Sequence, residues 1–151
     1  MPKETIKHIC GHVVAHELPE GDAKRADWLR SQPCQECFRT RQAEEAAEKV
    51  KEWGLPSLVG SDENRSWADV IRVKAIAHNR DFHRKATRAR DGDSEPDPVK
   101  EALVDAADMA LQELEWQTDA AWWVENRFDV LNYVRKATVA AIDPLLNKDE
   151  T

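Results

Sequence analysis

No run of this chain approaches the roughly 18 consecutive apolar residues that a membrane span requires. The opening Met1-Pro-Lys-Glu4 also lacks the apolar stretch of a secretory leader. Both absences lead us to expect a soluble, cytoplasmic protein that makes no membrane contact. Cysteine is scarce. Three residues of this type cannot all pair within one chain, which sets aside a disulfide framework and implies a reducing compartment. Positive charge is not in excess either: the formal net charge is −7, and a surface for wholesale attachment to nucleic acid needs clustered cations. The half after the 54–60 linker shows no internal repeats and no strand patterns. What remains, at 151 residues, is long enough for one real core with a small module attached.

The three cysteines are grouped with a histidine. Cys10-Gly-His12 is followed by Cys34-Gln-Glu-Cys37, and together these make a four-donor set for Zn²⁺, which prefers thiolate and imidazole. Gly11 permits the tight knuckle that aims Cys10 and His12 at one ion, and C-x2-C presents two sulfurs. His8 and His16 compete with His12 for the fourth position. Three thiolates and an imidazole close the shell, so the ion is expected to be structural; a catalytic zinc keeps one position open for water. The enzyme class to exclude is the zinc deaminase, which pairs H-x-E with P-C-x-x-C. Pro33-Cys34-Gln-Glu-Cys37 supplies the second half, but His16-Glu17 are adjacent and His12 is followed by Val13-Val14. No catalytic residue is assigned, and a zinc hydrolase or deaminase stays as the weaker alternative.

Along the chain, residues 5–18 mix β-branched residues with Gly11 and read as a hairpin or knuckle. A short helix follows over 22–31, and Pro33 stops it. Cys34 to Trp53 reads as a helix rich in Ala, Glu, Lys and Arg, ended by Gly54 and Pro56, which puts Cys34 and Cys37 at its N-terminus. Residues 54–60 form a linker. Ser61 is the N-cap of the next helix, whose apolar stripe runs Trp67, Ile71, Ala75, His78, Phe82, Ala86, Ala89; His78 is expected as a satisfied core histidine. After the breaker-rich 91–98 stretch, Asp97-Pro98 starts a helix carrying Val99, Leu103, Ala106, Ala110 and Leu114. A last helix is expected from about Thr118 to Asp143, before Pro144. The resulting fold class is mainly α: a small zinc-ribbon or treble-clef-like module over 1–53, a linker over 54–60 and a three-helix domain over 61–151.

Charge is segregated. Residues 72–90 hold seven Lys and Arg against one acid, and residues 91–119 hold ten acids against one lysine. Arg80, Arg84, Lys85 and Arg88 make a basic helix face with two readings, a solvated face paired with the acidic helix after it, or a surface for nucleic acid or an acidic protein. Arg25, Arg30, Arg39 and Arg41 add positive charge near the metal module. Trp122 and Trp123 cannot share one side of a helix, so one is expected in the core and the other partly exposed; with Arg127 this is a candidate contact spot, since Trp and Arg are enriched at binding hot spots.

Three segments, Leu55-Pro-Ser-Leu-Val-Gly-Ser61, Trp67-Ala-Asp-Val-Ile-Arg72 and Ala121-Trp-Trp-Val-Glu-Asn-Arg127, resemble a family of small bacterial proteins found in mobile-element contexts. In that family a CGH…CxxC zinc-ribbon-like N-terminus precedes L-P-x-L-x-G-S, W-A-x-x-I-R and W-W-I-x-N-R elements. Asp62-Glu-Asn-Arg65 departs from the Lys-Gln pair that tends to follow Gly-Ser there. The resemblance implies a phage or plasmid setting and supports Cys10, His12, Cys34 and Cys37 as ligands. It supplies no catalytic residue. The expected function is a non-enzymatic, zinc-stabilised binding or adaptor protein acting on a protein complex or nucleic acid, or alternatively an anti-defence inhibitor of a host nucleic-acid-handling machine.

Overall fold

In the computed structural model, which describes residues 3–147, the β-branched opening forms a hairpin. Strands β1 (Lys3–Lys7) and β2 (Val13–Glu17) pair antiparallel, with Lys3 opposite Glu17 and Lys7 opposite Val13. Helix α1 (Ala23–Arg30) is capped by Asp22, whose carboxylate accepts the Arg25 N–H at 3.1 Å. Ile6, Leu18 and Ala26 are buried together with Leu29 against them. A two-stranded hairpin is marginal by itself, and an apolar cluster this small adds little. Helix α2 (Gln35–Glu52) starts directly after Cys34 and ends before Gly54, whose φ of 65° is the left-handed conformation that closes helices. The chain divides into two compact units, Met1–Glu45 and Ala46–Thr151, with the division inside α2.

The second unit is helical. Ser61 caps α3 (Asp62–Asp91) by accepting the Asn64 N–H at 3.2 Å, and Asp97 caps α4 (Pro98–Glu115) by accepting that of Val99 at 2.9 Å. The single helix expected over 118–143 is broken. It consists of α5 (Ala120–Glu125), a turn, a 3₁₀ turn (Val130–Asn132) and α6 (Tyr133–Leu146). The break follows Asn126, whose side chain donates to the Trp122 carbonyl at 2.8 Å while its own carbonyl takes the N–H groups of Asp129 and Val130. Asparagine competes with the helical ladder in this way. The C-terminal boundary is also corrected, because α6 continues past Pro144 to Leu146. The three expected helices of this domain are therefore α3, α4 and a third that folds as separate pieces.

α4 packs on both α3 and α6, and α5 lies on α3. Ala68, Ala75, Ile76, Ala107, Ala110, Leu114, Trp123, Val130 and Val134 form the core, and the alanines let α3 and α4 approach closely. The buried line of α3 runs through Ala68, Arg72, Ala75, Ile76 and Asn79 rather than through Trp67 and His78, both of which are exposed. Periodicity could not show this, because two of the buried positions are polar. Both find partners. Arg72 donates to the Pro56 carbonyl at 2.6 Å and to Asp69 at 2.9 Å, and Asn79 bonds the start of α6. Residues 55–60 are tied down: the Val59 N–H donates to Thr118 at 2.7 Å, and Ala120 donates back to the Val59 carbonyl at 3.0 Å.

Candidate metal centre

The knuckle between β1 and β2 is closed by two backbone bonds of 2.9 Å, from Gly11 N–H to the His8 carbonyl and from His8 N–H to that of His12. Gly11 has φ 90°, which strains any residue carrying a Cβ. This turn places Cys10 and His12 side by side. Cys34 immediately precedes α2 and Cys37 lies one turn on, so both thiols sit at the positive end of the helix macrodipole.

The four side chains converge. Nδ1 of His12 is 3.5 Å from Cys10 Sγ, 3.5 Å from Cys34 Sγ and 3.2 Å from Cys37 Sγ. All four donor atoms lie within 4.8 Å of one another. A tetrahedral Zn²⁺ with ordinary bond lengths needs sulfur–nitrogen edges of about 3.5 Å and sulfur–sulfur edges of about 3.8 Å, so the donor set fits that ion in chemistry and in spacing. Backbone amides support it: Cys34 N–H donates to Cys10 Sγ at 3.3 Å and Cys37 N–H to Cys34 Sγ at 3.5 Å.

The thiols are not equivalent. The Cys34 N–H, followed by that of His12, pulls Cys10 down to about 6, whereas hydrogen bonding with the Cys34 sulfur pushes Cys37 up to about 12. Crowded sulfurs resist becoming thiolates together, and a divalent cation is the charge that reverses this. Three sulfurs and one imidazole would fill a tetrahedral shell around such an ion.

His8 and His16, the competing histidines, are engaged with each other. His8 is 4% exposed; its Nδ1 lies 3.0 Å from the Gln32 carbonyl and its Nε2 lies 2.8 Å from His16 Nε2. A carbonyl only accepts, so His8 Nδ1 carries the hydrogen toward Gln32, and at the Nε2–Nε2 contact one ring donates to the other. The pair braces the base of the knuckle from outside the four-donor group.

The candidate contact residues lie in the helical unit. Arg80 pairs with Glu115 at 2.8 Å and covers the Trp53 ring at 4.5 Å. Arg84 and Lys85 both pair with Asp81, and Arg88 is exposed. Two further contacts reach α4, His83 to Asp108 and Arg90 to Glu101. Trp123 is fully buried and donates to the Gln117 carbonyl at 3.0 Å, and half-buried Trp122 meets Trp123 and Tyr133 edge-on. Arg127 lies over the rings of Trp67 and Phe128, at 5.2 and 4.5 Å. In the unit that holds the Cys/His cluster, Arg30 pairs with Asp27 and Glu4, and Arg41 with Glu45. Sequence reading put Trp67 in the core and passed over Phe128; their shared cation, Arg127, was the visible signal.

Comparison of the chain with protein-family models, characterised proteins and solved structures returns no match.

Proposed function

We propose that the chain is a non-enzymatic binding protein, built from a zinc-ribbon or treble-clef-like module held by Zn²⁺ on Cys10, His12, Cys34 and Cys37 and from a helical unit that engages a partner. The observation carrying this reading is the convergence of three sulfurs and one imidazole nitrogen at tetrahedral spacing. Such a shell stabilises a fold without performing a reaction. Its free energy of binding is folding free energy for a unit whose apolar core is small. The motif resemblance supports a setting in a phage or other mobile element, as an accessory factor or as an inhibitor of a host nucleic-acid-handling machine.

Protein is the favoured partner over nucleic acid. Arg80 and Arg90 of α3 already pair with acids of α4, and the net charge is negative. Cobalt substitution tests the metal assignment. One Co²⁺ per chain, with intense tetrahedral d–d bands and sulfur-to-metal charge transfer, is expected. A five- or six-coordinate spectrum, or an exchangeable water on the metal, would overturn it in favour of a hydrolase or deaminase.

A further inference from the structure

The three motifs singled out in the sequence meet at one place in the helical unit. Arg72 of the second holds the Pro56 carbonyl of the first at 2.6 Å. Gly60 of the first approaches Ala120, just ahead of the third, so closely that a Cβ there would stand 3.0 Å from that of Ala120. Trp67 of the second shares Arg127 of the third. This fixed node carries an unusual surface. Trp67 is 48% exposed and Phe128 80% exposed, and the guanidinium of Arg127 is set against both rings.

The cation between those rings has no internal counter-charge among the described residues. Nearby Arg65 pairs with Asp62 and Lys136 with Asp129, whereas Arg127 spends Nη1 on the Val124 carbonyl at 2.6 Å and meets no carboxylate. Its orientation is set by the rings and that single bond, leaving the remaining N–H groups of a planar fork. A fork held in advance loses little entropy when it takes a carboxylate with two parallel bonds. Exposed aromatic rings beside it add apolar area, the composition of a binding hot spot.

We propose that Trp67, Arg127 and Phe128 form a docking site for a protein partner that presents an aspartate or glutamate flanked by apolar side chains, the carboxylate on Arg127 and the apolar groups on the two rings. This rests on the binding-protein reading above and names the partner chemistry. A nucleic-acid strand fits the site less well. Glu63 lies one helical turn before Trp67 and Glu125 two residues before Arg127, so the segments that carry the site bring acids as well as its one cation. A single acidic side chain tolerates that setting, but a run of phosphates is repelled by it.

The test is selection of a random dodecapeptide library displayed on phage against the immobilised full chain, then titration of the enriched peptide by fluorescence anisotropy. Enrichment of peptides with Asp or Glu beside apolar residues is expected, with affinity falling about 10- to 30-fold in both Arg127→Gln and Phe128→Ser. Phe128 is exposed, so Phe128→Ser should melt with the parent and decides the matter if Arg127→Gln folds poorly. The proposal is overturned if no peptide is enriched, if the enriched peptides lack acids, if Phe128→Ser binds unchanged, or if an oligothymidylate binds and is lost in the same variants. Metal content measured on the same preparation separates the two readings. A metal-loaded chain that selects nothing refutes the docking site alone, and a chain that selects acidic peptides without metal refutes the zinc module alone.

Discussion

The side chain of Asn79, in the middle of α3, caps the first turn of α6: its Oδ1 accepts the Val134 N–H at 3.1 Å. Asn132, the residue at the usual capping position, makes no such bond. The Asn79 amide nitrogen donates to the Val130 carbonyl at 3.0 Å and to Ala75 at 2.7 Å. One buried amide thus satisfies the free Val134 N–H and gives the Val130 carbonyl, which also accepts the Tyr133 N–H, a second donor where the chain changes from a 3₁₀ turn to an α-helix. Helix starts leave such donors without internal partners, and burying them unpaired is costly.

Asn79→Ala should therefore destabilise the helical unit by about 1–3 kcal/mol, the cost of stranding the buried Val134 N–H. Asn79→Asp should also destabilise it, because a carboxylate accepts from Val134 but cannot donate to Val130. Urea unfolding followed by far-ultraviolet circular dichroism measures both. An unchanged midpoint for Asn79→Ala would refute the trans-capping role.

Cys37→Ser, or chelation of the parent chain, should unfold the hairpin module and leave most helical signal in place, since the core cluster of the second unit contains none of the four candidate ligands. Amide hydrogen exchange resolves the two regions. Loss of protection in residues 3–34, with α3, α4 and α6 still protected, is the expected pattern. Full retention of metal by Cys37→Ser would contradict the ligand assignment.

Gly60 combines φ 149° with a 3.0 Å approach to the Ala120 Cβ. Gly60→Ala should cost about 1–3 kcal/mol through backbone strain alone, and should loosen the bonds that Val59 makes to Thr118 and Ala120. A melting temperature within error of the parent would show that the segment adjusts without strain.

Tyr133 is the only tyrosine of the chain, so its ionisation is read directly from the phenolate absorbance change. Burial, and then the 2.8 Å hydrogen bond it donates to Glu113, push its hydroxyl above the ordinary value of 10.0. A raised folded-state value means that this stability contribution is complete below about pH 10 and is lost as pH rises through the folded value. Titration of the native chain should come in above that of the chain in urea, and Glu113→Gln should lower it. Coincident curves would remove the argument for the Tyr133–Glu113 contact.

Local features follow from short-range chemistry that each stretch of the chain carries with it. Gly11 sets the knuckle turn, and Ser61, Asp97 and Asp119 cap the helices that follow them. The donor set of Cys10, His12, Cys34 and Cys37 was legible because turn chemistry and a helix start place each pair independently of the rest of the chain. Tertiary structure decided which faces turn inward. Arg72 and Asn79 look like solvent-facing residues, yet they are buried because carbonyl and amide groups of distant segments, Pro56, Val130 and Val134, need partners there. That turns the α3 stripe away from Trp67 and His78, and leaves Trp67 to meet Arg127 at the surface. The break after Asn126 has the same origin: a long helical pattern yields where a side chain can bond the backbone and where a buried amide elsewhere can restart the helix. Periodicity records hydrophobicity along one element, whereas the pairing of polar groups between elements depends on which segments meet.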